Sequence, residues 1–242
     1  MNSPDPSVVT LQTYQAHAAA YIARSVSVTY PPWYDLWLTD FCQELTSGGP
    51  DAGRPRVLEI GSAHGRDARV LEQLGADVQR SDVTPAFADY LRAQGQDVWS
   101  INVLTDPPVD HRFDGVLAAA VLHHFTIREL RIALGWIRSV LRPGGVFAFC
   151  TRRGDGDEYE TARLGAPRYF RYHQPAELWT ILDAADCEVI TLTVRPWRTD
   201  VRKTELAGRV GYGHPAYPGE WIYGLARRSA DAGPGAPDTR YP

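Results

Sequence analysis

The apolar positions of the chain change period near residue 50. From Leu11 to Arg24 the sequence LQTYQAHAAAYIAR is rich in alanine and brings Tyr14, Ala18 and Tyr21 to or near one face at helical spacing. Tyr30-Pro31-Pro32 interrupts this helix, because proline lacks the backbone donor a helix needs. Trp33 to Leu45 then places Trp37, Leu38, Phe41 and Leu45 at helical spacing, before the turn-rich linker Ser47-Gly48-Gly49-Pro50-Asp51-Ala52-Gly53. Beyond the linker, short apolar runs alternate with helical segments. Strands are predicted at Val57–Ile60, Ala76–Arg80, Val98–Ile101, Phe113–Ala119, Val146–Cys150, Cys187–Val194 and Trp221–Ala226. Helices are predicted at Asp67–Leu74, Ala86–Ala93, Ile127–Leu141 and Pro175–Ala185. This alternation means βαβ crossovers and a mainly parallel sheet, an α/β fold.

Composition narrows the classes. The 242 residues suffice for a core without staples, and 44% hydrophobic with 22% charged residues is ordinary for a globular chain. No run of 18 apolar residues is present to span a membrane, and the N-terminus shows no secretory pattern. Cys42, Cys150 and Cys187 are scattered, which fits a reducing cytoplasm and gives neither a disulfide framework nor a metal site. The net charge of -4 argues against a dedicated nucleic-acid protein. Lys203 is the single lysine, and no GxxxxGK[ST] run exists, so Walker-type nucleotide hydrolysis is excluded.

The candidate chemistry gathers at the first strand-to-helix turn, Glu59-Ile60-Gly61-Ser62-Ala63-His64-Gly65-Arg66. Glycines between a strand and a helix let a ligand approach the backbone, and the helix behind offers unpaired N–H groups. Asp82 lies 21 residues after Gly61, at the end of the second strand. A carboxylate there can accept both hydroxyls of a ribose, or it can cap the helix that begins after Val83-Thr84-Pro85. His123 and His124 follow the fourth strand, on the side where ligands bind in open α/β sheets. Either one could serve as a base near neutral pH, or simply pack at a helix start before Thr126. His64, His173 and His214 have no partner at ligand spacing. His64 is read as a turn residue, and His173 and His214 as surface residues.

These motifs together resemble the class I S-adenosylmethionine-dependent methyltransferases. Glu59-Ile60-Gly61-Ser62-Ala63-His64-Gly65 is similar to the family's E/D-x-G-x-G-x-G motif, with Ala63 in place of the middle glycine. Asp82 matches the family's ribose acid, and Asn102 with Val103 the segment beside the adenine. Leu122-His123-His124-Phe125 and Leu141-Arg142-Pro143-Gly144-Gly145 match later segments. The resemblance runs, less specifically, over about residues 11–227. It implies a Rossmann-like, doubly wound seven-stranded sheet in the order 3-2-1-4-5-7-6, with strand 7 antiparallel, and N-terminal lid helices. The lid (1–50) and the body (51–228) form one domain, and a disordered tail (229–242) is expected. The cofactor implied is S-adenosylmethionine, with Tyr21, Glu59, Gly61, Ala63, Gly65, Arg66, Asp82, Val83, Asn102, Val103 and Ala119 as its contacts. Arg66 could hold the cofactor's carboxylate or be a solvated cation.

The acceptor side is aromatic. Trp33, Tyr34, Arg171, Tyr172 and Arg198 are the candidate substrate contacts, the last from an insert that also carries Arg195, Arg202, Lys203 and Arg209. The stretch 152–171 is expected to be a flexible flap. The function expected is methyl transfer to a small organic acceptor, plausibly in a biosynthetic pathway, by a cytoplasmic monomer or homodimer. The alternatives are a tRNA or other RNA methyltransferase, and a non-catalytic S-adenosylmethionine binder.

Overall fold

The computed structural model of the chain describes residues 5–28, 30–46, 53–110, 112–196 and 219–230. Two helices come first, α1 (Pro6–Ser25) and α2 (Pro32–Thr46). They are followed by β1 (Arg56–Ile60), α3 (Arg66–Gln73), β2 (Asp77–Ser81), α4 (Pro85–Arg92), β3 (Val98–Trp99) and β4 (Phe113–Ala119). A single 3-10 turn, Leu122–His124, leads into α5 (Ile127–Val140) and β5 (Leu141–Arg152). Then come β6 (Asp157–Glu160), β7 (Arg168–Arg171), α6 (Pro175–Asp183), β8 (Cys187–Pro196) and β9 (Glu220–Arg228).

Seven strands form one sheet in the order β3-β2-β1-β4-β5-β9-β8. β9 runs antiparallel to both its neighbours, and the other neighbouring pairs are parallel. With β8 and β9 counted as the sixth and seventh strands of the sheet, this is the expected topology. Parallel strands need crossovers, and the crossover helices cover both faces. Side-chain alternation divides the core accordingly. Phe147, Phe149, Val116 and Ala118 face α5 and α6, whereas Val146, Ala148, Cys150 and Leu117 face α2 and α3. Among the described residues no helix is long and apolar enough to cross a membrane.

Three expectations change. The stretch 152–171 is a two-stranded hairpin of β6 and β7, not a flexible flap. Its backbone is tied to α1: Thr10 Oγ1 accepts from Tyr169 N (2.9 Å), and Thr13 Oγ1 donates to the Pro167 carbonyl (2.6 Å). β5 is longer than expected, because the turn at Pro143-Gly144-Gly145 is absorbed into it with a bulge opposite Phe113 and Gly115. His173 is fully buried rather than on the surface, since the chain after the hairpin returns beside the end of β5, where Arg153 and His173 pair. The insert at 197–218, with Arg198, Arg202, Lys203, Arg209 and His214, lies outside the described residues, as does most of the tail.

Among the described glycines, the one with least room is Gly224 on β9, opposite Phe149 on β5. A Cβ at Gly224 would lie 2.3 Å from Phe149 Cζ, and the ring is fully buried. Gly224→Val is therefore expected to destabilise the protein by about 2 kcal/mol, the usual cost of overpacking a core. That corresponds to a fall of roughly 6 °C in thermal melting. An unchanged melting temperature would show that the sheet is not packed this closely.

Candidate functional site

The carboxyl ends of β1, β2 and β4 open into a cavity of about 230 Å³ beneath α1 and the β6–β7 hairpin. At its floor is the turn after β1. Gly61 adopts φ +78°, and a Cβ there would meet Val121 Cγ2 at 2.7 Å, so both the backbone and the space require glycine. Ala63, which replaces the usual middle glycine, is also left-handed, at φ +46°. This conformation is costly for a residue with a Cβ. The position is held by Asp82, whose Oδ2 accepts the Ala63 N–H at 2.9 Å.

Asp82 Oδ1 also accepts the Thr84 N–H at 2.8 Å. It thus supports the start of α4, where Thr84 is the N-cap, and still lines the cavity. The two roles weighed for it are compatible, because a carboxylate has lone pairs beyond those two bonds. Burial pushes its pKa up to about 6 against two opposing backbone hydrogen bonds. Glu59 lies below the turn and not in the cavity wall. Its Oε1 accepts the N–H of Ala68 in the first turn of α3 (3.1 Å), a cap that the N-cap Gly65 cannot supply. Burial raises Glu59 to about 7.

Most predicted cofactor contacts converge. Tyr21, Gly61, Ala63, Arg66, Asp82, Val83, Asn102, Val103 and Ala119 all line the cavity. Gly65 does not, although its left-handed φ of +72° makes the turn into α3. Asn102 Oδ1 is already bonded to Leu104 N–H at 3.0 Å, so this side chain shapes its own turn. Arg66 is not a solvated cation. It bonds Asp67 at 2.8 Å and Asp35, and its guanidinium lies 4.1 Å from the Tyr30 ring centroid. These carboxylates are the anions that a cation at a helix start requires.

The opposite end of the cavity is built differently. Tyr14 of α1 touches His124, which touches Phe170 of β7, and His123 stacks on Phe170 at 4.9 Å with an interplanar angle of 20°. Trp221 of β9 meets His123 edge-on at 5.5 Å. Both histidines are buried, and both nitrogens of His124 are engaged. Nδ1 lies 2.8 Å from the Tyr169 carbonyl, so it must carry the proton. Nε2 then accepts from the Tyr14 hydroxyl at 2.9 Å, and the Tyr14 oxygen accepts from Arg168 Nη1 at 3.0 Å. Burial lowers His124 to about 3. It drives His123 well down too, reinforced by His124, Arg152 and Arg168.

The predicted substrate contacts fare less well. Tyr34 lines the cavity, but its hydroxyl donates to Asp67 Oδ2 (2.8 Å), near Arg66. Trp33, on α2, is partly buried and packs against the core on that side of the sheet, outside the cavity lining. Arg171 bonds Glu177 at 2.6 Å, Tyr172 bonds Glu158, and neither lines the cavity. The strand period explains the miss: on β7, Arg168 and Phe170 share the cavity face and Arg171 has the opposite parity. Tyr14, Arg152 and Trp221 were missed because only the tertiary fold brings them to the site. Among the described residues no cluster of His, Cys, Asp and Glu could hold a metal ion.

Residues 58–149 match the methyltransferase domain family. No curated protein matches the chain at significant similarity. Several solved structures share the fold. One is Burkholderia thailandensis 1,6-didemethyltoxoflavin-N1-methyltransferase with bound 1,6-didemethyltoxoflavin and S-adenosylhomocysteine, 20% identical, TM-score 0.62, covering 95% of this chain and 93% of that one. Another is magnesium protoporphyrin IX methyltransferase from Synechocystis PCC 6803 with bound S-adenosylmethionine, 13% identical, TM-score 0.65, covering 95% and 100%. A third is the (4+2) cyclase SpnF, 19% identical, TM-score 0.66, covering 95% and 98%. At these identities the likeness shows the fold.

The buried Glu59 makes stability depend on pH. Its folded pKa, about 7, lies above its ordinary value of 4.5. The fold therefore holds the proton more tightly than the unfolded chain, and Glu59 costs stability as pH rises through that window. Glu59→Gln removes the titration. Relative to the native protein, the variant should gain about 2 kcal/mol between pH 5 and pH 8, measured by urea unfolding at both values. An identical difference at the two pH values would show that Glu59 ionises normally.

Proposed function

We propose that this chain is a class I S-adenosylmethionine-dependent methyltransferase, as the match of residues 58–149 supports, and that it methylates a small organic acceptor held between the 3-10 turn, β7 and β9. The observation that carries this reading is the enclosure of that end of the cavity: His123, His124, Phe170 and Trp221 are each less than a tenth exposed. A part of a large polymer would have to be extruded to reach them.

The cofactor S-adenosylmethionine supplies an electrophilic methyl group carried on a positively charged sulfur. The lining fits such a molecule. Asp82 offers carboxylate oxygens at the depth of a ribose, with Val83, Ile101 and Val103 as apolar neighbours for a base. The Gly61–Ala63 backbone keeps the floor free of bulky side chains. Tyr21 and Arg66 also line the cavity and would meet the cofactor's carboxylate and amino group. Tyr21 stays uncharged, since burial pushes it up to about 12.

His124 acts as a positioning residue. A ring with both nitrogens bonded, and with so little affinity for a proton, is a poor general base; it fixes Tyr14 and Arg168 in the wall instead. His123 faces the acceptor and offers a neutral imidazole. The protein acts as a monomer or a homodimer in this reading. The three buried free cysteines suit the cytoplasm. Small-molecule biosynthesis is the setting that matches an enclosed aromatic acceptor site.

Calorimetric titration with S-adenosylhomocysteine should show one site per chain. Asp82→Ala should weaken it by at least about tenfold, the effect of losing hydrogen bonds to a charged acceptor. Circular dichroism checks that the variant stays folded. Equal affinity in a folded variant would remove the cofactor assignment. For the acceptor, the protein incubated with methyl-labelled cofactor and cell extract should label small molecules; label confined to RNA would overturn the small-molecule reading.

A further inference from the structure

The acceptor end of the cavity carries positive charge that the cofactor does not need. Phe170 is its centre. The Arg152 guanidinium lies 4.1 Å from the Phe170 ring centroid and that of Arg168 lies 4.9 Å from it, while His123 stacks on the same ring. Arg152 is 5% exposed and Arg168 2%, and both line the cavity. Burying a guanidinium is costly unless anions are close.

The carboxylates that answer this charge stand behind the wall. Glu160 bonds Arg168, and Glu158 bonds the Tyr172 hydroxyl. Neither lines the cavity, where the described acidic residues are Asp67 and Asp82, both beside the β1 turn. Arg168 Nε and His123 Nδ1 have no hydrogen-bond partner among the described residues. Cationic faces, spare hydrogen-bonding nitrogens and the flat rings of Phe170 and Trp221 therefore meet at one place.

We propose that the acceptor is a flat conjugated molecule bearing an ionised oxygen, a carboxylate or an ionised phenol or enol, which docks against Arg152 and Arg168 with its ring beside His123, Phe170 and Trp221. This rests on the reading that the cavity holds a methyl acceptor, and it names that acceptor's class. Guanidinium groups are suited to it, because their planar forks match carboxylate-type oxygens and stack on aromatic rings. Where that oxygen is itself the methyl acceptor, its lone pair would form the O–C bond as the methyl's bond to the cofactor sulfur breaks, and no proton would have to leave. The wall then needs no general base, and the neutral histidines provide hydrogen bonds and stacking instead.

The test uses two probes of one shape and different charge, 2-naphthoate and 2-naphthamide, titrated calorimetrically into the protein saturated with S-adenosylhomocysteine. Naphthoate should bind at least about tenfold more tightly, the scale of one charge-assisted hydrogen bond. Arg152→Met should reduce that preference to within about threefold with the S-adenosylhomocysteine affinity unchanged. Arg152→Lys should keep most of the preference, and it replaces the Met variant if that one fails to fold. Equal binding of the two probes, no naphthoate binding at millimolar concentration, or a preference that survives in folded Arg152→Met would each overturn the proposal. If S-adenosylhomocysteine itself does not bind, the cofactor reading fails, and the two probes compared without it still decide the acceptor's charge.

Discussion

One carboxylate ties the two halves of the cofactor floor together. Asp82 accepts the N–H of Ala63 in the turn after β1 and the N–H of Thr84 at the start of α4. β1 and β2 are already paired in parallel, with Ile60 opposite Ser81. The sheet brings the two turns side by side, and Asp82 fixes their conformation. Without it, Ala63 would be left in a left-handed conformation with a half-buried N–H unpaired. Glu59 performs the matching task one layer deeper, where it caps α3. The site's geometry is therefore set by two buried acids, both of which burial pushes toward neutrality.

The roof depends on contacts far apart in sequence. α1 meets the hairpin through Thr10, Thr13 and Tyr14, whose partners are Tyr169, Pro167 and Arg168. It meets α4 through Tyr14 and Tyr21 against Phe87. Thr10, Tyr14 and Tyr21 also line the cavity. Tyr14 is the clearest case: one hydroxyl joins Arg168 of the hairpin to His124 of the 3-10 turn, and so couples the lid to the acceptor wall.

The sheet was legible in the sequence because its signals are local. Val57–Ile60, Phe113–Ala119 and Trp221–Ala226 are apolar runs bounded by turns, and the motif turn lies inside one βα unit. The residues proposed for the cofactor were legible for the same reason, standing at fixed short distances from strand ends. Those proposed for the acceptor were not. Arg152 and Trp221 face one another because β5 and β9 pair in register, a contact 69 residues apart that no local pattern announces. Arg168 and Phe170 could have been found, since a strand over 168–171 would give them one face and Arg171 the other. Reading the stretch as a flap removed that inference. His173 shows the limit of judging a histidine by its sequence neighbours, for its burial comes from the chain's return alongside β5.

In the proposed arrangement the Asp82 turn holds the nucleoside and the Arg152–Arg168–His123 wall holds the acceptor, within one cavity under α1. A crystal structure of the complex with S-adenosylhomocysteine tests this most directly. Both ribose hydroxyls should lie within hydrogen-bond distance of the Asp82 carboxylate, with the sulfur pointing toward His123 and the space beside Phe170 left open. A ligand whose ribose lies away from Asp82, or whose adenine fills the space beside Phe170, would contradict it.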